Sequence, residues 1–178
     1  MTIAELEECI DKYGKDIYGF CSHITGNTQE GEELYQDTFL KAVEHLKKMD
    51  ITQNPKSFLL SIAVGLWKNK KRKYAWRQRI AGMESLEDKE EYKNIPSDMD
   101  DVLPEQTLLQ KEQNEIIHTC IKNLSEKYQL ILYLYYSSEL STKEIAACLK
   151  LPEGTVKSRL HKARMLVKEQ LEVAGYDE

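Results

Sequence analysis

Ser141-Thr-Lys-Glu-Ile-Ala-Ala-Cys-Leu-Lys-Leu-Pro-Glu-Gly-Thr-Val-Lys-Ser-Arg-Leu160 reads as two short helices joined by a tight turn. Ser141 suits the N-cap of the first helix, and Glu144, three residues on, can reach back to the cap's own N–H as a capping box. Ile145, Ala146 and Leu149 recur on an inward face, with a small alanine where two helices cross closely. Pro152 suits the entry to a second helix, because its missing N–H lies among groups left unbonded there anyway. Val156 and Leu160 anchor that helix from within. Thr155, Lys157, Ser158, Arg159, His161 and Lys162 are left for solvent or a ligand. Cap, small residue, turn and apolar anchors occur in the order of a helix-turn-helix, whose second helix lies in the major groove of DNA. An ordinary surface helix of a bundle is the competing reading, and it leaves that coincidence unexplained.

With 41% hydrophobic residues in 178, the chain can build one or two small cores. Four prolines and eight glycines, against many Leu, Lys, Glu and Ala, favour helices throughout. A net charge of -5 suits a nucleic-acid ligand only if the charge is segregated. Glu5, Glu7 and Glu8 make the beginning of the chain unlike a signal peptide. No apolar run reaches the roughly 18 residues of a membrane span. Cys9, Cys21, Cys120 and Cys148 lack metal or redox spacing and read as small buried hydrophobes in a reducing cytoplasm.

Segregation is visible along the chain. Residues 68–79 carry Lys68, Lys70, Lys71, Arg72, Lys73, Arg77 and Arg79 without an acid. Residues 82–105 reverse the sign, with nine carboxylates against Lys89 and Lys93, and contain Pro96, Ser97 and Pro104. Residues 157–168 are basic again. The expected architecture is therefore all-α: two small helical domains, residues 1–81 and 106–178, joined by a flexible acidic linker over 82–105. The C-terminal domain contains the helix-turn-helix.

Within the first domain, Ile3, Leu6, Ile10, Tyr13, Ile17, Cys21 and Ile24 alternate at spacings of three and four, one stripe of a long helix that Gly26-Asn27 ends. A second helix is expected from about Gln29 to Lys48. Leu34, Thr38, Ala42 and Leu46 form one stripe of it, and Tyr35, Phe39 and Val43 form the adjoining one. After Asn54-Pro55 a third helix should turn Phe58, Leu59, Ile62, Ala63 and Leu66 inward and continue into the basic block. There Trp67, Tyr74 and Trp76 are interleaved with the cations. Cations neutralise phosphates and aromatic faces stack on unpaired bases, a combination suited to single-stranded or opening DNA. Partial burial of Trp67, next to Leu66, is compatible with that role. In the second domain Leu109, Ile116, Ile117, Cys120, Ile121 and Leu124 mark one helix. Ser125 is placed to cap the next, which carries Tyr128, Ile131, Leu132, Leu134 and Tyr135. Tyr133, Tyr135 and Tyr136 read as packing residues.

Taken together, these segments resemble a known family. Glu33-Leu-Tyr-Gln-Asp-Thr-Phe39, with Pro55-Lys-Ser-Phe-Leu-Leu-Ser-Ile-Ala63 leading into the basic-aromatic block, resembles region 2 of bacterial sigma factors. Leu124-Ser-Glu-Lys-Tyr-Gln-Leu-Ile-Leu132 and Glu153-Gly-Thr-Val-Lys-Ser-Arg-Leu-His-Lys-Ala-Arg164 resemble region 4. The order and the short linker point to the compact extracytoplasmic-function (ECF) group, which lacks the first region and a folded third domain. The resemblance implies that the helix carrying Leu34, Gln36, Asp37 and Phe39 docks on the clamp helices of core RNA polymerase. It implies that residues 49–56 capture a flipped base of the promoter −10 element. Trp67, Lys68, Lys70, Lys71, Arg72, Lys73, Tyr74 and Trp76 would hold the opening duplex, and residues 155–162 would read the −35 element. The acidic linker would thread the polymerase cleft toward the RNA exit channel, mimicking RNA by its charge. An anti-sigma factor, free or membrane-anchored, is the implied restraining partner. Two departures stand out: Lys150 occupies the turn where such motifs commonly have Gly, and Gly65 lies inside the third helix.

Nothing in the sequence suggests an enzyme. His23, His45, His118 and His161 are scattered, with neither metal-ligand spacing nor a phosphate-cradling glycine loop or activated nucleophile. No cofactor, metal or small-molecule substrate is expected. Two other functions fit parts of the pattern. One is a two-domain helix-turn-helix transcriptional regulator, though the N-terminal half lacks the strand-helix alternation of a receiver domain. The other is a helical adaptor that does not bind DNA. Co-purification with core polymerase followed by promoter-specific transcription separates the three.

Overall fold

A computed structural model describes residues 2–46, 54–80 and 108–176, with side chains from residue 113 onward in the last stretch. The described residues are helical and fall into two units. The linker and most of the loop at 49–56 lie outside them.

In the N-terminal unit α1 (Ile3–Thr25), α2 (Thr28–Glu44) and α3 (Pro55–Ile80) pack on one another pairwise. Thr2 and Glu5 form a capping box at the start of α1. Gly26, at φ 67°, closes α1 by donating its N–H to the Ser22 carbonyl at 3.1 Å. Asn27, grouped above with the end of α1, instead caps α2, accepting from the Glu30 N–H at 3.3 Å. α2 stops at Glu44 rather than near Lys48.

The buried faces are rotated from the expected stripes in two helices. In α1, Cys9 and Phe20 join Leu6, Ile17, Cys21 and Ile24 in the core, while Ile3 is exposed. In α3 the core face is Leu59, Leu60, Ala63, Val64 and Trp67; Phe58, Ile62 and Leu66 are only partly covered. The run from 58 to 67 is apolar on several faces, so its own periodicity leaves the phase open, and packing against α1 and α2 sets it. Lys56, 8% exposed, ion-pairs with Asp16 of α1 at the foot of α3. Leu34, Thr38 and Ala42 are buried as expected, and Thr38 donates its hydroxyl to the Leu34 carbonyl at 2.6 Å.

Gly65 has open space where a Cβ would stand. Close packing therefore does not require it, and Gly65→Ala should raise stability by about 0.5–1 kcal/mol through helix propensity. An unchanged or lower urea midpoint would show that the position is constrained in some other way.

From residue 108 onward the chain forms α4 (Leu108–Lys122), α5 (Glu126–Leu132), a π-helical turn (Tyr133–Ser137), α6 (Thr142–Leu149) and α7 (Glu153–Val173). α7 packs against α4 and α5. Leu130, Ile131, Leu132, Tyr133, Leu134, Leu140, Ile145, Val156, Leu160 and Ala163 are buried. Ser125 occupies the N-cap position of α5, but its side chain makes no capping bond; its carbonyl accepts from Tyr128 and Gln129 instead. The π turn, absent from the sequence reading, ends at Ser137 with Ser138 as its C-cap, and Glu139 follows in the left-handed region (φ 55°). All four cysteines are free and buried, and burial pushes the Cys21 thiol up to about 12. No helix among the described residues is long and apolar enough to cross a membrane.

Candidate nucleic-acid and polymerase interfaces

The helix-turn-helix is built as its sequence implies. Ser141 and Glu144 close a reciprocal capping box: the Ser141 N–H donates to Glu144 Oε2 at 2.8 Å, and the Glu144 N–H donates to Ser141 Oγ at 3.3 Å. Lys150 adopts φ 54°, and the Leu151 N–H donates to the Ala146 carbonyl at 2.9 Å, a Schellman turn with lysine in the position that favours glycine. That geometry costs about 1–2 kcal/mol. Across the turn, Thr142 Oγ1 donates to Glu153 Oε1 at 2.9 Å, tying the start of α6 to the start of α7. Glu153 also pairs with Lys157 at 2.8 Å, and these two hydrogen bonds hold its carboxyl below the usual range.

Val156, Leu160 and Ala163 bury the inner face of α7. Lys157, Ser158, His161 and Lys162 are exposed, and Thr155 and Arg159 are half-buried at the flank. Ser158 Oγ donates to the Thr155 carbonyl at 3.0 Å. Its proton is thus engaged with the helix, and the exposed hydroxyl oxygen keeps its capacity to accept.

In the N-terminal unit α3 runs past the core, and residues 68–80 are exposed along its whole outer half. The two tryptophans separate. Trp67 is 8% exposed with the Lys71 ammonium 4.8 Å above its ring, whereas Trp76 is 63% exposed. Tyr74 is exposed as well, so Tyr74 and Trp76 offer aromatic faces among Lys68, Lys71, Arg72 and Lys73. Lys70 reaches back to Glu33 of α2 at 3.2 Å and to Glu30 at 3.9 Å.

On α2, Gln36 and Asp37 are exposed, but Leu34 lies in the core and Phe39 is half-covered, edge-on to Tyr35 at 4.9 Å. Leu34 therefore supports the helix from beneath rather than presenting itself. The outer face instead carries Leu40, 66% exposed, and Val43. Leu40 was absent from the expected stripes; a leucine on the polar side of an amphipathic helix was its visible signal.

The described residues thus form two small helical units, one extending an aromatic-basic helix and the other carrying a helix-turn-helix. The family models "Sigma-70 region 2" and "Sigma-70, region 4" match residues 9–77 and 114–167. The chain is 33% identical to the ECF RNA polymerase sigma factor SigW of Bacillus subtilis over 168 residues, which cover 92% of this chain and 87% of that one. It is 27% identical over 161 residues to the RNA polymerase sigma-H factor of Pseudomonas aeruginosa, covering 90% and 83%. In fold it resembles the sigma factor RpoE of Bartonella quintana, solved with the anti-sigma factor NepR. That likeness has a TM-score of 0.74 at 21% identity, covering 96% of this chain and 99% of that one. The chain belongs to the ECF group of sigma-70 family RNA polymerase sigma factors. Its work is to direct RNA polymerase to promoters, supplying binding and specificity while the polymerase performs the chemistry.

Proposed function

We propose that three surfaces divide this work. The exposed face of α2, with Gln36, Asp37, Leu40 and Val43, docks on core RNA polymerase, supported from within by Leu34 and Phe39. The outer half of α3 holds the −10 region as it opens: Lys68, Lys70, Lys71, Arg72 and Lys73 neutralise phosphates, Tyr74 and Trp76 stack on unpaired bases, and buried Trp67 braces them. α7 reads the −35 element through Ser158, His161 and Lys162, with Thr155, Lys157 and Arg159 at the flanks. Residues 1–81 and 106–178 act as the two domains, and the acidic segment 82–105 connects them along the polymerase cleft. An anti-sigma factor restrains the protein in the cytoplasm until a signal releases it. That part rests on the family and on the solved sigma factors of like fold, RpoE with NepR and CnrH with CnrY.

The observation that carries the reading is the outward face of α7, on which exposed polar residues stand over a fully anchored inner face. Lys162→Ala should cost about 1–3 kcal/mol on the preferred −35 sequence and relax preference at one position. Holoenzyme binding across single-base variants of the −35 element measures this. Unchanged preference in both Ser158 and Lys162 variants would remove α7 as the reader.

A further inference from the structure

Lys157, His161, Arg164 and Lys168 recur at spacings of four, three and four, forming one edge of α7 beside the outward face of Ser158 and Lys162. Two of these cations are locally neutralised: Lys157 pairs with Glu153 at 2.8 Å and Lys168 with Glu172 at 3.6 Å. Arg164 is held differently. Its Nε donates to the Tyr136 hydroxyl at 2.7 Å, and its guanidinium carbon lies 5.2 Å and 5.5 Å from the ring centroids of Tyr135 and Tyr136. Those rings support one another edge-to-face at 5.0 Å. Adjacent residues of an α-helix point about 100° apart. Here the widened π turn brings Tyr135 and Tyr136 to the same guanidinium.

Every one of these partners is uncharged, and among the described residues no carboxylate lies within ion-pair distance of Arg164. The side chain is therefore immobilised without losing its charge. Nε is occupied, and the two terminal amino groups of the fork remain to meet an anion bidentately. A contact serving only to staple the π turn to α7 would gain more from burial, yet Arg164 and Tyr136 are both exposed.

We propose that Arg164, positioned by the Tyr135–Tyr136 pair, is a preformed clamp for a DNA backbone phosphate beside the −35 element. The clamp sets the depth and register of α7 in the groove without reading bases. It rests on the assignment of α7 as the −35 reader and adds a residue and a device to it.

The test uses the full chain assembled with core polymerase, with promoter binding measured over a range of salt on the preferred −35 sequence and on single-base variants. Arg164→Gln should weaken binding to all of them alike, roughly tenfold at about 0.1 M salt, and lower the log–log salt slope by about one. Tyr136→Phe keeps the ring and the charge but loses the hydroxyl. It should weaken binding roughly threefold with the slope unchanged, and add nothing in the Arg164→Gln background. An unchanged slope in folded Arg164→Gln overturns the proposal. So does a loss confined to assembly with core polymerase, which would make Arg164 a protein contact. If Arg164→Gln fails to fold, Tyr136→Phe decides, and undiminished promoter affinity refutes the clamp. A holoenzyme indifferent to −35 sequence overturns the reader and the clamp together. One that discriminates −35 sequences but ignores these substitutions overturns the clamp alone.

Discussion

Trp67→Ala should destabilise the N-terminal unit by about 3–5 kcal/mol, whereas Trp76→Ala should change stability by no more than about 0.5 kcal/mol. The two residues look alike in sequence, both aromatic and both among cations. Trp67, however, is 8% exposed and closes the core face of α3, so truncation leaves a cavity beneath Lys71. Trp76 is 63% exposed and loses only a surface. If that surface stacks on an unpaired base, Trp76→Ala should cost about 1–3 kcal/mol in open-complex formation while leaving assembly with core polymerase intact. Urea unfolding followed by circular dichroism measures the first effect, and permanganate reactivity of promoter thymines the second. Normal melting by Trp76→Ala would leave the α3 block a purely electrostatic surface, and a stable Trp67→Ala would contradict its place in the core.

Gly31→Ala should lower stability by about 1–3 kcal/mol, the opposite sign from Gly65→Ala on the neighbouring helix. A Cβ on Gly31 would stand 2.9 Å from Ser22 Cα and 3.0 Å from Ser22 Oγ. The obstacle is backbone, so relief requires moving α1 away from α2 rather than turning a side chain. Because α2 also carries the face proposed to meet the polymerase, the variant should weaken core binding in step with its loss of stability. A urea midpoint at or above that of the parent would mean that α1 and α2 separate at little cost.

Much of the architecture is legible in the sequence. The capping box at Ser141 and Glu144, the inward Ile145, Val156 and Leu160, and the continuation of α3 through the basic block all follow from local rules. Such rules act within a turn or two of helix, where a residue's neighbours are its neighbours in sequence. The candidate site was legible in part. Residue type and spacing marked Ser158, Lys162 and Trp76, but Leu34 carried the same apolar signal whether it faced the core or a partner, and only burial separates it from Leu40.

Sequence alone determined that the chain is helical, that its charge is divided into blocks, that a helix-turn-helix stands near its end and that it resembles ECF sigma factors. Tertiary structure decided what depends on residues far apart in the chain. It set the phase of α3, where an apolar run satisfies more than one face and packing selects Leu60 and Val64. It brought Lys56 to Asp16, and it gave Gly31 a reason that Gly65 lacks. It also joined Arg164 to Tyr136, 28 residues away, across a π turn that no local pattern announces. Periodicity reports which residues share a helix face. Which face is buried, and which cation keeps its charge, depends on what other helices bring against it.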